Sequence, residues 1–405
     1  MLPPLYGELK DIESKLPQHN LSLPFPEGRD GRYVRFENQM WGTGLNNQLE
    51  EILVLSHLAH LSNRAYIFNN YTWDLVSKGP YVYDNGRPRA SVMPLTAFIS
   101  GPTAGGSWAP NDPAPRSISA EWWETVCSYE KRLLLNTTRE NESMGLAPNV
   151  TGSILIAHWA ERLKNLDHGC VAIAGIAPSI VDIMFFVSNR VTSLFPTMST
   201  SPVITRFAWS SIVRSAVIAN YPLLLPGASP EPGSELSVIP GLVAVHLRRG
   251  DYEKHCKEIL APDASMYMGW NRIDGLPDTF TPPLGAGKGT LTPEAWDVYS
   301  RHCWPSVEQI KERLRVVRSD DPTLTRVFAL TNGKPEWISA VKKALLDDGW
   351  EDVVTTLDLN ITWEQSGVAN AIDMEIAARA QTFVGNGVCQ LIATCIVVYS
   401  ELKPS

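Results

Sequence analysis

Residues 246–252, His-Leu-Arg-Arg-Gly-Asp-Tyr, carry the densest chemistry in the chain. Two adjacent guanidiniums suit a diphosphate, because each is always charged and presents a planar fork of donors. They follow an apolar run, Leu242 to Val245, of small and β-branched residues that reads as a buried strand. The crevice beyond the carboxyl ends of strands is the usual ligand site of an open α/β sheet. On a pleated strand His246 points opposite to Leu247 and shares a face with Arg248. The bland alternative is a core strand capped by a surface Arg–Asp pair. Arg249-Gly250-Asp251 also spells an adhesion tripeptide, which is common by chance.

A second stretch is Trp41-Gly-Thr-Gly-Leu-Asn46-Asn47-Gln48. Two glycines followed by Asn side chains let backbone N–H groups approach a phosphate or sugar near a helix N-terminus. The pattern is neither a Walker loop nor GxGxxG. Helix capping by Asn46 explains it equally well.

The elements that must position these residues follow from periodicity. Arg32–Glu37 alternates as a strand, 49–61 has an apolar face at helical spacing, and 64–68 is a second strand. That is one βαβ unit. Residues 69–150 lack sustained periodicity and read as a long insertion, with a short helix over 122–135. Helices are expected over 153–166 and 204–219, with 211–221 as the last helix of the first half. Five prolines between Pro222 and Pro240 mark a linker. The second half then alternates: strands at 242–246, 326–330, 352–357 and 382–386, helices at 305–317, 335–347, 368–380 and 388–399. Residues 285–289 are a glycine-rich turn. Strands each followed by a loop or helix imply a parallel sheet of the Rossmann kind. Residues 1–31 read as a polar, proline-bearing lead-in, 32–225 as a first domain and 240–405 as a second.

Composition bounds the class. The chain has 405 residues, 44% hydrophobic and 19% charged, which is ordinary for two or three globular domains. A formal net charge of −8 argues against a nucleic-acid surface. The six cysteines include no CxxC pair and no histidine sits at metal spacing, so no metal site is expected. Cys256 with Cys303 is the first disulfide to test. Six Asn-x-Ser/Thr sequons, at Asn20, Asn70, Asn136, Asn141, Asn149 and Asn360, fit a secretory lumen. No signal peptide precedes them, so a cytosolic chain with idle sequons is the alternative. Residues 170–187 reach the low end of membrane-span length, but Pro178 and Asp182 favour buried non-membrane structure.

These motifs together resemble the superfamily of fucosyltransferases that use GDP-fucose. GTGLNNQ is similar to the first glycine/Asn-Gln motif of protein O-fucosyltransferases. HLRRGDY is similar to the HxRR motif they share with α-1,6- and α-1,2-fucosyltransferases. Asp373–Leu391, DMEIAARAQTFVGNGVCQL, is similar to the acidic helix, strand and glycine turn that closes the donor site. The order matches from about residue 32 to 400, and 69–240 matches nothing. The resemblance implies a GT-B-like α/β fold, two Rossmann-like domains facing across a cleft, with the acceptor on the first and GDP-sugar on the second. It implies that Arg248 stabilises the leaving diphosphate and that Arg249 supports it or holds the loop. His246 and Asp373 would contact guanosine. Asn46 with Gln48, or Asn47 in another register, would line the sugar and diphosphate. The turn holding Asn386, Gly387, Cys389 and Gln390 would meet the β-phosphate.

Two departures stand out. The family often carries Ser and Ser/Thr at Cys389 and Gln390, and some members carry a basic Glu at Thr43. No general base is evident; Glu37, Asp251 and Glu258 are the candidates. The implied activity is inverting, metal-independent transfer of fucose from GDP-fucose to a protein Ser/Thr or a glycan, with no cofactor. A Golgi or ER lumen is implied, with membrane contact only through a segment absent from this sequence. The alternatives are a glycan α-1,2-fucosyltransferase or a catalytically silent relative that binds a nucleotide sugar or glycan.

Overall fold

The apolar runs form two parallel sheets. The computed structural model describes residues 1–37, 39–74, 79–84, 86–173, 179–228, 230, 236–250, 252–254, 256, 269–274, 276 and 292–385. The chain divides into two units: Met1–Val213 with Trp363–Val368, and Arg214–Thr362 with Ala369–Ser405.

The first unit holds β1 (Tyr33–Phe36), β2 (Ala65–Phe68), β3 (Ile118–Ser119), β4 (Arg132–Leu135) and β5 (Cys170–Ile173), ordered β3-β2-β1-β5-β4 and all parallel. β2 and β5 are buried at every position. Burial on both faces is why they read as continuous apolar runs. Helix α2 (Leu45–Leu61) follows β1 and is buried nearly all round, from Leu45 and Leu49 to Leu58 and Ala59.

The second unit holds β6 (Ile239–Leu247), β7 (Arg326–Thr331), β8 (Asp352–Thr355) and β9 (Ala380–Val384), ordered β8-β7-β6-β9 and parallel. Val243, Val245 and Leu247 face a core shared with Val327, Ile310, Leu314, Val341, Leu345 and Trp350. By strand alternation His246 takes the other face, with Arg248 beyond it. The flanking helices are Val307–Asp320, Pro335–Asp347 and Ala369–Arg379, close to the expected spans. The expected helix at 388–399 and the glycine turn at 285–289 lie outside the described residues.

Several expectations change. Residues 1–31 are not a lead-in: they contain helix α1 (Gly7–Ser14) and belong to the first unit. Glu13 accepts from Thr96 N–H and Oγ1 at 3.1 and 2.8 Å, and Gln18 Nε2 donates to the Gly105 and Ser117 carbonyls. The insertion supplies two sheet strands, and the helix expected over 122–135 stops at Val126 and gives way to β4. The units part after Val213, within the helix Ser211–Leu224, rather than in the proline-rich stretch. Pro222 lies in that helix's last turn, where its missing N–H costs little.

The apolar stretch 170–187 opens as β5 and closes with the short helix Ile183–Val187. Asp182 caps that helix, accepting from Phe185 N–H at 2.8 Å. Among the described residues no helix is long and apolar enough to cross a membrane. Disulfides join Cys127 to Cys170, and Cys256 to Cys303 as the sequence suggested. Such bonds persist in oxidising compartments and mark a secreted or lumenal chain. Closing the 43-residue loop between Cys127 and Cys170 is worth about 4 kcal/mol in chain entropy.

Candidate functional site

The carboxyl edge of the second sheet gathers polar side chains from four elements. β6 brings His246 and then Arg248. β7 ends at Thr331, β8 is followed by Thr356, and the helix Ala369–Arg379 brings Asp373. Thr331 N–H donates to Thr356 Oγ1 at 3.2 Å, and Thr356 Oγ1 donates to Asp373 Oδ2 at 2.9 Å. Asp373 is buried, and among the described residues its Oδ1 meets no donor. A buried carboxylate oxygen without a donor is costly, so this atom is a ready acceptor for a ligand N–H or O–H.

Burial pushes the Asp373 carboxyl up to about 7, against the opposing pull of the Thr356 hydrogen bond and of nearby His246. An unfolded Asp titrates near 3.9, so the fold holds this proton more tightly than the open chain does. Its stabilising contribution is complete below about pH 3.9 and is lost as pH rises through about 7. Relative to Asp373→Asn, the wild-type protein should therefore lose on the order of 1–3 kcal/mol of stability between pH 5 and pH 8. Urea titrations of both proteins at the two pH values measure this. Parallel behaviour would refute a raised carboxyl.

The two arginines have unlike surroundings. Arg248 is half-buried, with its guanidinium 4.6 Å from the centre of the Tyr252 ring. Arg249 is 6% exposed and lies between Trp304 and Trp337, at 4.2 and 4.1 Å from their ring centres. Its Nη2 donates to the Pro305 carbonyl, and its N–H donates to Asn332 Oδ1 at 2.6 Å. Burial lowers its pKa to about 10, which leaves it charged at neutral pH. Of the two roles expected for Arg249, supporting the diphosphate or holding the loop, these contacts are of the second kind. Strand alternation explains it: Arg249 follows the core face of Leu247, and Arg248 follows the face of His246. Gly250 completes the turn at φ +67°, where a Cβ would stand 3.0 Å from Asn332 Nδ2.

In the first unit the glycine turn leads into α2. Asn46 is half-buried, and its Oδ1 meets no donor among the described residues. Asn47 N–H closes a turn onto the Gly44 carbonyl at 3.0 Å. Gln48 is spent on structure: Nε2 donates to the Thr43 and Thr72 carbonyls at 2.9 and 2.8 Å, and Oε1 accepts from Thr72 N–H at 3.3 Å. It fastens the turn to the strand Tyr71–Thr72, so its amide is engaged within the first unit. Glu51 is a further residue the sequence reading missed. Its Oε2 accepts from Met40 N–H at 2.6 Å and its Oε1 from Ser179 Oγ at 3.0 Å, joining the segments that follow β1 and β5. Burial raises it to about 7. The available signal was weak: a carboxylate more than one turn into a helix that otherwise carries an apolar face.

Asn386, Gly387, Cys389 and Gln390 lie outside the described residues, as do Asp251 and Glu258. Glu37 is half-buried at the end of β1, its N–H on the Ile173 carbonyl at 3.0 Å. No group of three or more metal-ligating side chains occurs among the described residues. A depression of about 490 Å³ in the first unit is lined by His60, Asn63, Ala109, Asn111 and Asp112, and contains none of the expected residues.

No protein-family model matches the sequence, and no curated protein matches it. Solved structures do. A crystal structure of POFUT1, protein O-fucosyltransferase 1, in complex with GDP aligns at TM-score 0.52 and 14% identity, over 93% of this chain and 97% of that one. A POFUT1 complex with GDP-fucose aligns at 0.51 and 14%, over 93% and 96%. The chain has a fucosyltransferase-like fold. At this identity the likeness is one of architecture, a mixed α/β arrangement with parallel sheets. Within the fucosyltransferase-like fold, the cluster of His246, Arg248, Thr356 and Asp373 stands at the sheet edge where α/β proteins bind ligands.

Proposed function

We propose that this chain binds GDP-fucose and transfers fucose, with inversion and without a metal, to a Ser/Thr hydroxyl of a protein or to a glycan, in the ER or Golgi lumen. The observation that carries the reading is the buried Oδ1 of Asp373, which meets no donor among the described residues and lies beside His246, on the sheet face that leads to Arg248. Guanine offers adjacent N–H donors on its ring nitrogen and exocyclic amine. Adenine offers no such pair, and the uracil edge offers one donor between two acceptors. Asp373 and His246 hold the guanosine end, and Arg248 faces the diphosphate. The acceptor oxygen attacks C1 from the side opposite the leaving group, and its proton leaves to water. The C1–O bond to the β-phosphate breaks, and the departing charge falls on the diphosphate beside Arg248. The Asn46 amide is assigned to the sugar and diphosphate side. POFUT1 has been crystallised with GDP and with GDP-fucose, which supports the donor class.

A thermal-shift series tests the reading. GDP at a hundred times its Kd should stabilise the protein by about 2.7 kcal/mol, with UDP, ADP and CMP well behind. A preference for another base overturns it. A catalytically silent binder is the second reading, favoured by Thr43, whose hydroxyl is turned onto the Met40 carbonyl at 2.8 Å where some relatives carry a basic Glu. GDP stabilisation without any GDP-fucose turnover would select it.

A further inference from the structure

The six sequons have unlike surroundings. Asn70 Nδ2, the atom a glycan would use, donates to Glu121 Oε1 at 3.2 Å, and Thr72 is buried with its hydroxyl on the Asn70 carbonyl. Asn141 lies inside the helix Thr137–Ser143, with its Oδ1 accepting from Trp159 Nε1 at 2.9 Å. Residues two apart on a helix do not face each other, so Ser143 cannot meet the Asn141 amide. Asn136 caps the same helix through Arg139 N–H at 3.1 Å, which holds its half-buried side chain against the first turn.

The other three are open. Asn20 and Ser22 are both exposed, and Asn20 Oδ1 accepts from Ser22 N–H at 2.9 Å, which folds the amide toward the residue two ahead. Asn149 and Thr151 are exposed, with Asn149 in a turn closed by Val150 N–H on the Ala147 carbonyl at 3.1 Å. Asn360 is exposed, as is Thr362. Its backbone N–H and carbonyl are pinned by Asn220 at 2.7 and 2.9 Å while its side chain stays outside.

We propose that Asn20, Asn149 and Asn360 carry N-linked glycans and that Asn70, Asn136 and Asn141 do not. The donor class is a polyprenyl-diphosphate oligosaccharide. The sugar C1–O bond to the diphosphate breaks, the C1–Nδ2 bond forms, the amide gives up a proton, and the lipid diphosphate leaves. The fold selects among sequons because a glycan on Asn70 or Asn141 would displace the Glu121 or Trp159 contact. The inference rests on the lumenal reading and is independent of the fucosyl-transfer reading.

The test is expression of the full chain in a secretory host. Asn→Gln variants at each sequon are compared by gel mobility, and glycopeptides are mapped after enzymatic deglycosylation. Asn20→Gln, Asn149→Gln and Asn360→Gln should each lose one glycan, and the other three should migrate as wild type. Occupancy at Asn70, Asn136 or Asn141, or an unmodified site among the first three, overturns the proposal. Thiol alkylation separates the causes. A bare chain with Cys127–Cys170 oxidised refutes the sequon selection alone. A bare chain with both thiols free refutes the lumenal reading, and the proposal with it.

Discussion

Arg248→Ala should lower the kcat of GDP-fucose hydrolysis by two to three orders of magnitude while leaving the folded structure intact. The expected loss is about 3–4 kcal/mol of transition-state stabilisation, the usual size when one preorganised donor to developing charge is removed. As the C1–O bond breaks, negative charge grows on the diphosphate, so the guanidinium interacts more strongly with the transition state than with the bound donor. The effect should therefore fall on kcat more than on KM. Arg248→Lys keeps the charge and loses the fork, so it should recover part of the rate. Arg249→Ala is the control. That side chain lies between Trp304 and Trp337, so its loss should appear as a lower Tm. Steady-state kinetics with GDP release as readout, alongside thermal melts, separate the two. Full turnover by Arg248→Ala would remove it from the chemistry.

Arg64→Ala should destabilise the first unit by about 2–4 kcal/mol, because a buried side chain is lost together with hydrogen bonds from a charged group, each worth about 1.5–3 kcal/mol before desolvation is recovered. Arg64 is completely buried just before β2. Its Nε donates to the Leu163 carbonyl at 2.9 Å, Nη2 to Leu166 at 2.8 Å, and Nη1 to His168 and Gly169 at 2.8 and 3.2 Å. Leu163 belongs to the last turn of the helix Gly152–Lys164, whose carbonyls have no partners of their own within the helix. A cation at a helix C-terminus is also favoured by the helix dipole. Burial lowers the guanidinium pKa to about 9, so it remains charged at neutral pH. Truncation removes these bonds at the entry to β5; the Leu163 and Leu166 carbonyls keep Arg32 Nη2 at 3.3 and 3.0 Å and Gly169 keeps Tyr33 N–H at 2.8 Å, so the His168 carbonyl loses most. Arg64→Lys keeps the charge and fewer bonds, and should fall between. Urea unfolding monitored by tryptophan fluorescence gives the number. A loss below about 1 kcal/mol would mean that water replaces Arg64 without cost.

What could be read in advance was set by local periodicity. The run from Leu242 to Val245 is a strand because its alternation and β-branching leave few other options. The same period of two put His246 and Arg248 on one face. The span Pro335–Asp347 came out as expected because a proline at its start and apolar spacing along it are local signals. β4 was missed because RLLL is too short for its period to distinguish strand from helix. The first 31 residues were misjudged because Glu13 and Gln18 find partners at Thr96, Gly105 and Ser117, far along the chain.

By itself the sequence determined the α/β class, the parallel second sheet, and which residues stand at the end of β6. Those properties are carried by neighbours in the chain. Tertiary structure decided the duties within the motif. Arg249 is held by Trp304, Pro305, Asn332 and Trp337, and Gln48 is consumed by Thr43 and Thr72. Asp373 acquires its near-neutral carboxyl from burial in the folded unit, against the opposing pull of Thr356 and His246. A side chain's chemistry depends on desolvation and on partners tens of residues away, and spacing along one strand or helix encodes neither.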